Sequence, residues 1–191
     1  MARPKQNIGE TSAYERIENA FWEQLSEKSF DKITILSLSK AAKVNHNLIY
    51  YYFENIHDMA KQLFERNISD DLPAHFIALI LEGNISHKEI LASKDILKRI
   101  NRIRLFMGSD SIYLKGIVKE WLQSSWLSAV GAEKEQLSHE NLVDLEFIFS
   151  GIVSVVGSNL FDENPEAVAT LYQRKLGKAV TETLKNFASN N

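Results

Sequence analysis

The chain has 191 residues, 45% hydrophobic and 25% charged, with a formal net charge of −3 and no cysteine. This is an ordinary globular composition; it excludes disulfides, thiolate metal sites and a cysteine nucleophile, and fits a reducing, intracellular compartment. No apolar run reaches the roughly 20 residues of a bilayer span and the opening MARPKQNIGETSAYERIENAFW lacks the unbroken apolar stretch of a signal peptide, so a soluble, cytoplasmic protein without a membrane partner is expected.

Three prolines and eight glycines interrupt a sequence whose apolar residues recur at helical spacing, which points to an all-α protein. Ser12 and Glu15 have the capping-box spacing, and Ile17, Phe21 and Leu25 then line one side of a first helix to about Lys28. SFDKITILSL ends it, and Thr34 caps a short second helix carrying Leu38, Ala41 and Ala42. After Lys43 and Val44 the chain turns, Asn45 caps a third helix, and a fourth begins near His57 with Met59, Leu63 and Phe64.

The pattern pauses at Ser69–Pro73, the expected boundary between residues 1–68 and 69–191. Beyond it, Ser86 and Glu89 repeat the capping-box spacing before a series that includes Ile96, Leu97, Ile100, Ile103 and Met107 and stops at Gly108. A helix from about Ser111 holds Ile117, Val118, Trp121, Leu122 and Trp126. Two further stripes cover 138–160 and 165–187, separated by Asn164 as a cap and Pro165 at the first helical position. They read as a hairpin of two long amphipathic helices, which either packs internally or meets a second copy in a four-helix bundle.

The third helix contains VNHNLIYYYF, with four consecutive rings at Tyr50, Tyr51, Tyr52 and Phe53. Each helical residue turns about 100°, so four in a row cannot all face one core. Ile49 and Phe53 share a face suited to packing against Phe21, Leu38 and Ala42, which turns His46, Asn47, Tyr50 and Tyr51 the other way. Either these rings cover a helix junction, or they form the reading face of a helix-turn-helix. The chemistry suits the second role: Asn bonds two atoms of an adenine edge, His a base edge, and Tyr a phosphate, a sugar or a thymine methyl. Overall charge gives no support, since residues 1–66 carry nine cations and nine acids.

Residues 11–66, above all TILSLSKAAKVNHNLIYYYFENIHDMAKQLF, resemble the N-terminal DNA-binding domain of the TetR family of transcriptional regulators. The resemblance rests on Thr34, Leu38, Ala42, Val44, Ile49-Tyr50, Tyr52-Phe53 and Met59, whose spacing fits without a gap over less than a third of the chain. It implies base or nearby backbone contacts for His46, Asn47, Tyr50 and Tyr51 and phosphate contacts for Asn45 and Tyr52. Lys43 stands where the family usually has a turn Gly, Ile56 where it usually has Lys, and Glu54 adds negative charge. Lys40, Lys43, Arg3 and Lys5 are the cations left to offset these departures, so a shallow salt dependence is expected.

Residues 70–191 resemble the family only in being helical. By that resemblance they bind a small molecule and form the dimer through the last two helices, with Phe149, Val153, Val156, Leu176 and Val180 at the interface. Ligand candidates are Phe106, Trp121 and Trp126, with Met107, Phe147 and Tyr113 behind them; the series Lys94, Lys98, Arg99, Arg102 and Arg104 reads as a solvated face. The expected function is that of a dimeric repressor released from a palindromic operator by a ligand. The alternative is a helical ligand-binding or interaction module with weak or lost DNA binding. No enzyme, metal or cofactor is expected: histidines 46, 57, 75, 87 and 139 lack metal-ligand spacing, and no phosphate loop or nucleophile motif occurs.

Overall fold

Helix starts are set by side chains standing in for missing backbone partners. In α1 (Ala13–Glu27) the Ser12 hydroxyl accepts from the Glu15 N–H at 3.2 Å while the Glu15 carboxylate accepts from the Ser12 N–H at 2.7 Å. The computed structural model describes residues 12–68, 94–164, 167 and 170–187, and among them the regular secondary structure is entirely helical. No helix of the described residues is long and apolar enough to cross a membrane.

A short 3₁₀ turn, Phe30–Lys32, separates α1 from α2 (Ile35–Ala41), which opens on a second capping box between Thr34 and Ser37. The pair is joined by Gln24, a buried amide of α1: its Nε2 donates to the Ser37 carbonyl at 3.1 Å and its Oε1 accepts from the Ser37 hydroxyl at 2.7 Å. α3 (His46–Tyr52) and α4 (Ile56–Asn67) follow, the latter capped by Asn55, whose Oδ1 accepts from the His57 and Asp58 N–H groups. Ile17, Phe21, Leu38, Ala42, Ile49, Phe53, Met59, Leu63 and Phe64 are all buried.

The chain divides into two compact units between Phe64 and Glu65, inside α4. The expected break at Ser69–Pro73, the Ser86–Glu89 spacing, and Arg3 and Lys5 lie outside the described residues.

In the second unit, α5 (Lys94–Gly108), α6 (Ile112–Val130), α7 (His139–Val156), a short α8 (Asn159–Glu163) and α9 (Lys175–Asn186) are described. Ser111 and Ser138 cap α6 and α7, and Gly131, at φ 69°, ends α6 in the left-handed conformation that glycine adopts without strain. Trp126, Leu127, Leu145, Ile148, Phe149, Leu184 and Phe187 form one core, and Trp126 Nε1 donates to the Leu184 carbonyl at 3.1 Å, fixing α9 to α6.

The hairpin differs from the expectation of two unbroken helices. The first stops at Val156, and Gly157 lies so close to the end of α5 that a Cβ there would overlap the Met107 carbonyl. The second, expected from 165 to 187, instead has a 3₁₀ turn at Leu171–Gln173, an extended Arg174 and then α9. Apolar periodicity continues through both breaks, so spacing alone runs the segments together. Asn164 does act as a cap, its Oδ1 accepting from the Ala167 N–H at 2.9 Å, while Pro165 is outside the described residues.

Candidate nucleic-acid interface

The connection between α2 and α3 is a Schellman closure. The Val44 N–H donates to the Ser39 carbonyl at 3.0 Å and the Lys43 N–H to that of Lys40 at 3.3 Å, with Lys43 at φ 53°. A lysine therefore occupies the left-handed position that Gly fills without strain, at a cost of about 1 kcal/mol. Arg16 of α1 strengthens the same corner, its Nε donating to the Ala42 carbonyl at 3.0 Å.

Asn45 then starts α3, accepting from the Asn47 N–H at 2.9 Å through Oδ1. Ile49 and Phe53 are fully buried, Leu48 and Tyr52 half-buried, and His46, Asn47, Tyr50 and Tyr51 exposed. At about 100° per residue, His46, Tyr50, Asn47 and Tyr51 succeed one another across about 140° of the helix surface. Tyr50 is 54% and Tyr51 81% exposed, values that leave most of each ring available to another molecule.

The Tyr51 ring is held from behind. Tyr51 meets Tyr52 edge-on at 5.2 Å, Tyr52 meets Tyr14 of α1 edge-on at 5.2 Å, and Tyr14 lies 5.7 Å from Phe53. Such aromatic pairs contribute about 0.5–1.5 kcal/mol each beyond simple burial, so Tyr52, for which the resemblance implies a phosphate contact, is held within this stack. Tyr14 is missing from the expected site, because nothing in its own spacing signals a contact 38 residues away along the sequence. Lys40 and Lys43 are exposed beside the turn, while Glu54 places a carboxylate just past α3.

The second unit places its candidates less uniformly. Phe106, Met107 and Trp126 are buried, and the indole N–H of Trp126 is committed to α9; Trp121 is half-buried. Phe147, expected to line an apolar pocket, is instead 79% exposed, and Tyr113 is also exposed. The basic series is not a uniformly solvated face: Arg102 is buried and donates to Asn67 Oδ1, Arg99 pairs with Asp95 at 2.7 Å, and Arg104 pairs with Asp162. Of the interface candidates, Phe149 and Val153 are buried within the chain itself, Val156 and Val180 are half-buried, and Leu176 is 66% exposed.

One polar cluster links α6 to α7. Buried Gln123 donates to Glu146 at 3.3 Å and accepts from Lys134 Nζ at 3.4 Å, and Glu146 also receives Lys119 and the Ser150 hydroxyl. The Lys119 hydrogen bond, followed by those of Gln123 and Ser150, holds the Glu146 carboxyl below its ordinary value against the opposing effect of burial. No protein-family model matches the sequence, and no curated protein matches it.

Proposed function

We propose that this chain is a dimeric, sequence-specific DNA-binding regulator of transcription in the TetR manner. α2, the turn at Lys43 and α3 act as its helix-turn-helix, and the second unit acts as its ligand-binding and dimerising part. The observation that carries this reading is the outward arc of α3: an imidazole, an amide and two phenols on a short helix whose other side is anchored by Ile49 and Phe53. Those are groups that bond base edges and phosphates in a major groove.

The dimer is supported by surface chemistry. On α7, Val143 and Phe147 lie one turn apart and exposed, and on α9 Leu176 is exposed. α7 carries Glu140, Asp144 and Glu146 with no Lys or Arg, whereas α9 carries Lys175, Lys178 and Lys185 against Glu182. A two-fold pairing of the two helices with their copies sets acids against bases as it covers the apolar groups. Two reading helices then meet successive major grooves roughly 34 Å apart on a palindromic site. A ligand that prefers another arrangement of the copies releases the DNA.

The test is a mobility-shift titration with duplex from the region upstream of the chain's own gene, alongside sedimentation of the free protein. A dimer that shifts a palindromic fragment, with the shift weakened by Tyr50→Ala and by Asn47→Ala, is the expected result. A chain that shifts neither this DNA nor a random duplex pool at low salt leaves the helical interaction module, which the exposed Glu54 and the balanced charge of residues 1–66 favour.

A further inference from the structure

The reading face of α3 is distinguished by what it lacks: between Lys43 and Lys61 the sequence contains neither Lys nor Arg. Bidentate Arg or Lys on guanine O6 and N7 is the commonest specific contact in a major groove. An α3 that lies in that groove therefore arrives without the usual guanine reader. What it brings is Asn47, placed between Tyr50 and Tyr51 on the exposed arc, with His46 at the arc's edge. An amide donates to adenine N7 and accepts from adenine N6, a pattern guanine does not offer. The flanking rings present apolar surface, whose match at a base edge is the thymine methyl. A single imidazole bond to purine N7 is open to adenine and guanine alike, so His46 does not shift the preference.

We propose that the base pairs read by α3 are A·T pairs, adenine through the Asn47 amide and neighbouring thymine methyls through the rings of Tyr50 and Tyr51. The proposal rests on the reading of α3 as a DNA-facing helix and adds the class of base it selects. The Tyr51 ring is suited to this because it is held before contact: it stands edge-on to Tyr52, which is in turn braced by Tyr14. Lys40 and Lys43, exposed in α2 and the turn, are then left to the phosphates, where they add affinity without sequence preference.

The experiment is selection of bound duplexes from a random pool by the full chain at low salt, followed by titration of the selected site. Half-sites rich in A·T at the protected central pairs are expected. Asn47→Ala should reduce discrimination for adenine at one pair of each half-site by about 5- to 150-fold, and Asn47→Arg should move that pair toward guanine. Replacing thymine by uracil, which removes only the methyl and leaves the protein untouched, should weaken binding about fourfold for each methyl that a ring covers. Selected half-sites with G·C at those pairs, or a site indifferent to both uracil and Asn47→Ala, overturn the A·T assignment and leave DNA binding standing. A pool that shows no enrichment overturns DNA binding itself, and this inference with it.

Discussion

The two compact units treat their exposed apolar surface differently. In the first, Leu36 apart, the large exposed rings are Tyr50 and Tyr51, which end in hydroxyls and stand on a helix capped and braced by neighbours. In the second, Tyr113 apart, the exposed groups are Ile112, Val143, Phe147, Leu160 and Leu176, which carry no polar tip. A phenol keeps its hydroxyl solvated until a polar partner arrives, whereas an aliphatic or phenyl group gains only by leaving water. The contrast matches the proposed division of roles: a polar-aromatic arc whose chemistry suits a base edge in the first unit, and apolar helix faces whose chemistry suits another protein surface in the second. Several measurements sharpen or break that division.

The largest effect belongs to the α5–α7 crossing. Gly157→Ala pushes a methyl into the Met107 carbonyl, so the crossing must open, at a cost of about 3 kcal/mol or more in denaturant unfolding of the second unit. Gly151→Ala, inside α7 with nothing within 4 Å of the added Cβ, is the control and should stabilise by up to about 1 kcal/mol. Equal effects from the two substitutions would show that the crossing is not close.

In the first unit, Ile49→Ala removes the anchor of α3 and should destabilise by about 2–5 kcal/mol, while Tyr51→Ala on the exposed arc loses only its edge-on contact with Tyr52 and should cost about 0.5–1.5 kcal/mol. If Tyr51→Ala costs as much as Ile49→Ala, the ring belongs to the core and not to the reading face. Lys43→Gly relieves the left-handed turn and should stabilise by up to about 1 kcal/mol, with Lys43→Val moving the melting temperature the other way.

The smallest effect is a pH dependence in the second unit. Glu146 has its folded-state pKa depressed, so its contribution is present above the unfolded Glu range and is lost as pH falls through the lower folded value. Its partial exposure keeps that contribution under about 1 kcal/mol. Glu146→Gln should flatten the stability profile below about pH 4.5, and an unchanged profile would remove this carboxylate from the acid response.

How much of this could be read in advance follows from the range of each interaction. The caps at Ser12, Thr34, Asn45 and Ser111 are contacts within three residues, and the sequence spells them out. The division of α3 into an anchored side and an outward arc also follows, because Ile49 and Phe53 are one turn apart and the rings between them must point elsewhere. The inward side of α7 is not legible in the same way. Leu142, Val143, Leu145, Phe147, Ile148, Phe149, Ile152 and Val153 surround most of that helix, so spacing leaves open that Phe149 is buried and Phe147 exposed. The stop at Gly157 depends on a backbone about fifty residues earlier, and the bracing of Tyr52 depends on Tyr14 in another helix. Long-range approaches of this kind leave no periodic trace.

The central claim is that the outward arc of α3 reads a duplex. Its most direct test is an anisotropy titration of a fluorescent selected palindrome with the unaltered chain and with the double variant Asn47→Ala, Tyr50→Ala, each paired with a thermal melt. The account predicts at least a tenfold loss of affinity, equivalent to about 1.4 kcal/mol, at an unchanged melting temperature. Equal affinities for the two proteins would contradict it.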